Sequence, residues 1–160
     1  MDFDELMASV QEMDDIIKRK RIMDKVEAVA KVNNVFEYQY DSDQYQVADY
    51  WRVLDMSQDK DQGDCEDYAL TVGWMLAGQS RMKFLWMILT KKIKICFISY
   101  VDGGHAVLEY EGLLVDNWKK EWTPRSTYEK DYAQYKWEYK FYYNPLVVVK
   151  KLIQGKFWKK

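Results

Sequence analysis

The chain is 160 residues long, which is enough for one domain with a buried core. Hydrophobic residues make up 48% of it, and this share excludes a disordered protein. The 24 basic and 26 acidic side chains leave a net charge of −2, so charge gives no reason to expect nucleic-acid binding.

The sequence predicts neither a membrane span nor an export signal. Its longest apolar run, 84–89, is too short to cross a bilayer. The first ten residues are acidic and lack the apolar segment of a signal peptide, so we expect a cytoplasmic protein. A leader removed earlier would instead make it periplasmic, and association with a phage is a third alternative. The two cysteines make no disulfide framework, so we expect free thiols.

The segment 2–31 predicts a long amphipathic helix. Its first apolar residues recur at three- and four-residue spacing: Phe3, Leu6, Met7, Val10, Met13, Ile16 and Ile17. A second set continues the pattern, and we expect a break between the two near 18–21: Ile22, Val26, Val29 and Ala30. The following segment, 32–51, is rich in Asn, Asp and Tyr and predicts an ordered loop with short helical pieces.

A second helix is predicted over 65–77, because Asp64 can cap its first turn. Asp67, three residues later, is the reciprocal acid of a capping box, and Gly78 is a plausible end. The apolar segment 79–92 has more bulk than a connection needs and predicts a further helix.

The second half of the chain predicts strands. The segment 93–101 is β-branched and aromatic, 102–104 is a turn, and HAVLEY and LLVDNW form a hairpin around Glu111 and Gly112. The segment 146–153 predicts either a last strand or a helix. Helices followed by a mainly antiparallel sheet define the α+β class.

The single histidine, His105, begins a strand, and Asp116 lies across the predicted hairpin from it. A two-residue turn at 110–111 would place the two side chains directly opposite each other. A turn at 111–112 would make them diagonal neighbours on the same face, whereas a three-residue loop would separate them. On one face, Asp116 can accept the imidazole N–H, fix its tautomer and stabilise the imidazolium.

The stretch DQGDCEDYAL places Cys65 among acidic residues, and negative neighbours raise the pKa of a thiol. The first turn of a helix has the opposite effect, because its unpaired N–H groups favour a thiolate. We expect Asp64 and Asp67 to cap the helix, so that the carboxylates have partners and the thiol is partly relieved of them.

Cysteine, histidine and a carboxylate form the triad of cysteine hydrolases. In this combination Cys65 is the nucleophile, His105 moves the proton and Asp116 orients the ring. Spacing alone does not distinguish such a triad from three unrelated residues.

Several motifs together resemble the bacterial transglutaminase-like cysteine peptidases, the family of LapG-like periplasmic adhesin proteases. They cover most of 32–144 in the expected order: VNNVFEYQYDSD, ADYW, GDCEDYA, GGHAVLEY, LLVDNW and KFYYN. The resemblance implies a papain-like, transglutaminase-like α+β core in a single domain over 1–160. This domain would consist of an N-terminal helical segment 1–31, the family core 32–144 and a basic C-terminal segment 145–160.

The same resemblance implies a cysteine endopeptidase that cleaves a protein or peptide through an acyl-enzyme. The implied catalytic residues are Cys65, His105 and Asp116, and Trp51 would support the oxyanion region. The LapG type requires calcium, so the acids beside the cysteine, Asp64 and Glu66, are implied calcium ligands.

Three features depart from the family pattern and two other functions stay open. Val53 and Leu54 stand where the family commonly has a proline, and the segment 79–92 carries more apolar bulk than the family leads us to expect, as a lineage-specific helix would. The missing export signal leaves an adhesin substrate unsupported. The triad also fits transglutaminase-like acyl transfer to an amine. The third alternative is a non-catalytic binding module with an aromatic groove. Cys96, in an apolar strand, is predicted to be buried and inert.

Overall fold

The computed structural model describes residues 2–38 and 51–154, and it has the α+β architecture that the sequence predicts. The helices are α1 (Phe3–Val35), α2 (Cys65–Leu76), α3 (Arg81–Leu89), α4 (Arg125–Asp131), a 3₁₀ turn (Ala133–Tyr135) and α5 (Pro145–Gln154). The strands are β1 (Phe36–Tyr38), β2 (Asp61–Gly63), β3 (Ile93–Tyr100), β4 (Gly103–Tyr110), β5 (Leu113–Val115), β6 (Thr123–Pro124) and β7 (Glu138–Tyr142).

Five of the strands form one antiparallel sheet in the order β6-β5-β4-β3-β7, and β1 pairs with β2 in parallel. Alternate residues of the large sheet enter two cores, because side chains along a strand point to opposite faces. Ile95, Ala106 and Leu108 face the core shared with α1, α2, α3 and α5. The opposite face carries a smaller aromatic core made of Cys96, Ile98, Val107, Leu114, Tyr128 and Trp137.

The predicted break in the N-terminal helix is wrong, since α1 runs unbroken for 33 residues. The basic run 18–21 contains good helix formers, and Lys18 pairs with Asp14 one turn earlier at 3.0 Å. The last part of α1 is buried against the rest of the protein through Val29 and Val32. Its first part exposes the predicted apolar stripe: Phe3, Leu6, Met7, Val10, Met13, Ile16 and Ile17.

The loop predicted over 32–51 is wrong at its start, because α1 continues to Val35 and β1 occupies Phe36–Tyr38. Phe36 pairs with Asp61 in β2, a partner far along the chain that local composition does not reveal. The rest of that prediction, residues 39–50, lies outside the described residues.

The other predicted elements are present. The segment 79–92 contains α3, whose bulk is explained by the burial of Phe84, Met87 and Ile88. Of the two alternatives for 146–153, the helix is correct: α5 buries Val148 and Leu152, four residues apart on one face. Among residues 2–38 and 51–154, no helix is long and apolar enough to cross a membrane.

Candidate active site

The start of α2 is fixed by the capping box that the sequence predicts. Asp67 N donates to Asp64 Oδ1 at 3.2 Å, and Asp64 N donates to Asp67 Oδ2 at 3.3 Å. The second oxygen of Asp67 accepts from the backbone N–H of Arg52 at 2.9 Å. The fully buried Asp67 therefore joins α2 to the preceding loop and holds Cys65 at the first helical position.

Arg52 strengthens this connection through an ion pair with Asp61. Its two Nη atoms donate to the two Asp61 oxygens, each at 2.8 Å, in the bidentate geometry that arginine favours. Burial opposes ionisation of Asp61, but the Arg52 guanidinium and backbone N–H groups keep its pKa below the ordinary value. Asp61 is therefore an anion paired with Arg52. It lies four residues before Cys65 in the sequence.

Cys65 is partly exposed, and its sulfur has two polar neighbours. The backbone N–H of Ala106, the residue after His105, donates to Cys65 Sγ at 3.4 Å. The thiol itself donates to Glu66 Oε2 at 3.3 Å. Burial and the charge of Glu66 raise the pKa of Cys65 well above its ordinary value, while the Ala106 N–H acts in the opposite direction.

The structure contains the expected helix cap of Asp64 and Asp67, and the acid outside this cap, Glu66, is the one bonded to the thiol. Asp67 uses both side-chain oxygens to accept hydrogen bonds from backbone N–H groups, whereas Glu66 accepts a hydrogen bond from the thiol. Burial and the neighbouring charge of Asp64 raise the pKa of Glu66 to about 8. In this arrangement the cysteine is a protonated thiol, and Glu66 is mostly a neutral acid at pH 7.

The hairpin turn lies at Glu111 and Gly112, because Tyr110 pairs with Leu113. Both turn residues have positive φ values, 51° and 79°, as tight two-residue hairpin turns require. This is the second of the two predicted registers, and it makes His105 and Asp116 diagonal neighbours on one face, as expected.

The imidazole and the carboxylate form a buried pair. His105 Nε2 lies 2.8 Å from Asp116 Oδ2, with side-chain exposures of 3% and 0%. The other oxygen of Asp116 accepts from the Tyr128 hydroxyl at 2.9 Å and from the backbone N–H groups of Lys119 at 2.8 Å and Trp118 at 3.2 Å. Three donors besides the imidazole therefore hold Asp116 in place. The fixed carboxylate in turn orients the His105 ring.

Trp118 covers the imidazole, a contact that the sequence did not reveal. The two rings stack with centroids 3.6 Å apart and planes 3° from parallel. The chain reverses after Asp116, whose carbonyl accepts from Lys120 N at 2.9 Å. This turn places Trp118 over His105. The tryptophan two residues after Asp116 was the sequence signal that could have indicated this contact.

The thiol reaches β4 at a gap in the sheet. β5 ends at Val115, opposite Leu108, and so does not extend along β4 as far as Ala106. Cys65 approaches this position from α2, which packs on β4. The structure thus brings the sulfur to the backbone next to His105, and His105 to Asp116.

Trp51, the residue predicted to support the oxyanion region, is almost fully buried. Its ring meets Tyr143 edge-on at 5.1 Å, and Lys151 Nζ lies 5.0 Å from its centroid. It belongs to the same core against which Cys65 packs. Its role beside the active site stays a prediction.

The chain matches the family model described as bacterial transglutaminase-like cysteine proteinase over residues 4–138. It therefore belongs to this family. Curated protein sequences gave no significant match.

Solved structures support the fold. LapG of Legionella pneumophila is similar with a TM-score of 0.52 and 18% identity, over 78% of this chain and 65% of the LapG chain. EGTA-treated LapG from the same organism gives a TM-score of 0.47 and 19% identity, over 66% and 56% of the two chains. The match thus spans less than two thirds of LapG, and the first similarity supports a transglutaminase-like core.

Proposed function

We propose that the protein is a cysteine peptidase that cleaves a peptide bond through Cys65, His105 and Asp116. One observation carries the proposal: His105 forms a buried 2.8 Å pair with Asp116, and the backbone N–H of the next residue, Ala106, donates to the Cys65 sulfur. In a family of cysteine proteinases, this arrangement supports a nucleophile, a base and an orienting carboxylate.

The pairing of Nε2 with Asp116 determines which ring nitrogen acts as the base. With Nε2–H donated to the carboxylate, Nδ1 of the neutral ring is the acceptor. In the proposed reaction Nδ1 takes the thiol proton and Cys65 Sγ bonds to the substrate carbonyl carbon. The Cys65 backbone N–H, at the first helical position, is a donor for the resulting oxyanion.

The remaining reaction has two steps. First, the imidazolium gives its proton to the nitrogen of the breaking C–N bond. The amine leaves as the first product, and a thioester remains on Cys65. His105 next takes a proton from water, whose oxygen attacks the thioester carbonyl carbon. The C–S bond then breaks, the carboxylic acid leaves, and the imidazolium returns its proton to Cys65 Sγ. Before the first step, the thiol has to exchange its bond to Glu66 for one to the imidazole.

Calcium has no step in this mechanism. Calcium takes six to eight oxygen ligands, whereas the predicted pair Asp64 and Glu66 supplies two carboxylates, one of them already bonded to the helix backbone. Within the described ranges, no group of three or more His, Cys, Asp or Glu side chains suits a metal ion. The requirement implied by the family resemblance stays a prediction.

Cleavage of unfolded casein, followed by mass spectrometry, tests the proposal. Wild type is expected to cut, with Cys65→Ala and His105→Ala losing the activity and Cys96→Ala keeping it. Running the assay with calcium and with a chelator tests the metal requirement separately. Added cadaverine distinguishes the alternatives: amide products would indicate acyl transfer. Folded wild type that is alkylated at Cys65 yet cuts nothing would favour a binding module.

A further inference from the structure

Beside the His–Asp pair lies a pocket of about 310 Å³ whose walls come from three separate segments. These are the end of β3 with its turn, the reversal after β5, and the 3₁₀ turn that follows α4. Of the five described residues that line it, four are aromatic and the fifth is an acid: Tyr100, Trp118, Tyr132, Tyr135 and Asp102. We call it the aromatic pocket.

The rings of the aromatic pocket stand at steep angles to one another. Trp118 meets Tyr100 at 5.0 Å and 88°, and Tyr132 at 5.7 Å and 72°. Tyr135 follows at 6.1 Å from Tyr132. Val101 N donates to Tyr135 O at 2.7 Å and so ties two of the walls together. Rings fixed at such angles surround a space instead of stacking to fill it.

The charge at the pocket is negative. Asp102 is exposed, and within residues 2–38 and 51–154 it makes no hydrogen bond or ion pair. The nearby cation, Lys119, is already engaged: its Nζ lies 2.6 Å from Asp131 and 5.0 Å from the ring centroid of Tyr132. The Tyr132 ring therefore already contacts the ammonium group of Lys119, which does not line the pocket. Asp102, which does line it, has no cationic partner among the described residues.

The pocket is one indole ring away from the proposed catalytic histidine. Trp118 stacks on His105 at 3.6 Å and also lines the pocket. A peptide whose scissile bond lies at Cys65 and His105 would thus have a neighbouring side chain within reach of Tyr100, Tyr132 and Asp102.

We propose that the aromatic pocket binds the lysine or arginine side chain of the peptide substrate, an inference that rests on the peptidase function proposed above. Ring faces attract a cation through their quadrupole, and a carboxylate at the same place adds a charge-assisted hydrogen bond. A neutral chain of the same shape lacks both interactions, and an acidic one meets Asp102 as a like charge. The pocket therefore selects for positive charge next to the bond that is cut.

A binding experiment tests the pocket without turnover. Wild type is titrated with N-acetyl-arginine amide and with its neutral isostere N-acetyl-citrulline amide, while the indole N–H resonance of Trp118 is followed by NMR. The arginine probe is expected to bind about tenfold more tightly than citrulline. Asp102→Asn is expected to remove most of this ratio, whereas Asp59→Asn, an exposed acid elsewhere, should keep it. Equal binding of both probes, or an unchanged ratio in Asp102→Asn, overturns the proposal.

Mapping of cut sites then connects the pocket with the substrate. Wild type is given a library of proteome-derived peptides, and the cleaved bonds are read by mass spectrometry. Lysine and arginine are expected to be enriched at one position relative to the cut, and Asp102→Asn is expected to lower this enrichment about fivefold while neutral sites are still cut. Cleavage without such enrichment contradicts the pocket and leaves the peptidase intact. Charge-selective binding without any cleavage contradicts the peptidase instead.

Discussion

Cys65 and Cys96 lie in two regions that differ in solvent exposure and in the groups that contact the sulfur. Cys65 begins α2, is partly exposed and contacts the backbone next to His105. Cys96 is fully buried in β3, where the Tyr139 hydroxyl donates to its sulfur at 3.4 Å, as the predicted inert cysteine should be. Burial is the largest cause of a raised pKa at both, to about 12 for Cys96. A raised pKa therefore does not distinguish the proposed nucleophile from the buried thiol, whereas the groups around each sulfur do.

The largest expected difference between the two regions is in thiol accessibility. Iodoacetamide is expected to alkylate Cys65 in the folded protein at least about a thousandfold faster than Cys96, because Cys96 reacts only after unfolding. Peptide mass spectrometry at successive times gives both rates. Comparable rates below the unfolding transition would remove the distinction between a surface thiol and a core thiol.

Asp116, the proposed orienting carboxylate, gives the next largest effect. Asp116→Asn is expected to lower kcat/KM for casein peptides about a thousandfold. The amide oxygen is expected to keep the three donors now at Asp116 Oδ1, which turns the amide NH₂ towards Nε2, favours the wrong tautomer and leaves the imidazolium without a negative partner. Tyr128→Phe is the matched control, since it removes one donor to Asp116 and leaves the carboxylate. It should cost about tenfold or less. Equal losses in the two variants would argue that packing around Asp116, and not its charge, is what matters.

Glu66 should make stability depend on pH. Its pKa is raised from an ordinary 4.5 to about 8, so the folded state holds a proton that the unfolded chain releases. The resulting contribution is complete below about pH 4.5 and is lost as pH rises towards 8. The unfolding free energy is expected to fall by roughly 4 kcal/mol across this range. Urea titrations at each pH measure it, and Glu66→Gln should flatten the profile.

The smallest expected effect is a shift in the pH profile of Cys65 alkylation, and it compares the acids beside the two thiols. Glu66→Gln should move the alkylation profile of Cys65 to lower pH by about one unit, because a nearby negative charge and an acceptor are removed. Glu109, 3.9 Å from the Cys96 sulfur, supplies the control. Glu109→Gln should leave the Cys65 profile in place, and a shift in both variants would point to a general change in net charge.

Features governed by local rules were predictable from the sequence. The capping box of Asp64 and Asp67 follows from residue type and spacing, and the parity of the hairpin turn decides that His105 and Asp116 share a face. The contact between Cys65 and Ala106 was not predictable, because it depends on how α2 docks on β4.

The remaining surprises are also tertiary. Trp118 covers His105 only because the chain reverses after β5, and Phe36 joins a strand only because β2 lies beside it. Glu66 bonds to the thiol, whereas its neighbours Asp64 and Asp67 form the helix cap. Sequence spacing describes what one element does by itself, and each of these contacts needs two.

The contact between Cys65 and Ala106 spans 41 residues, and the Trp122 indole donates to the carbonyl of Lys25 across 97. Closing loops of this length costs entropy that local helix formation does not, so such contacts form late in folding. In a nascent or partly unfolded chain, α1 and α2 can already be helical while Cys65 does not yet contact β4, the strand that carries the imidazole. The proposed peptidase is therefore inert until the sheet docks, and regained activity reports complete refolding more faithfully than regained helical content does.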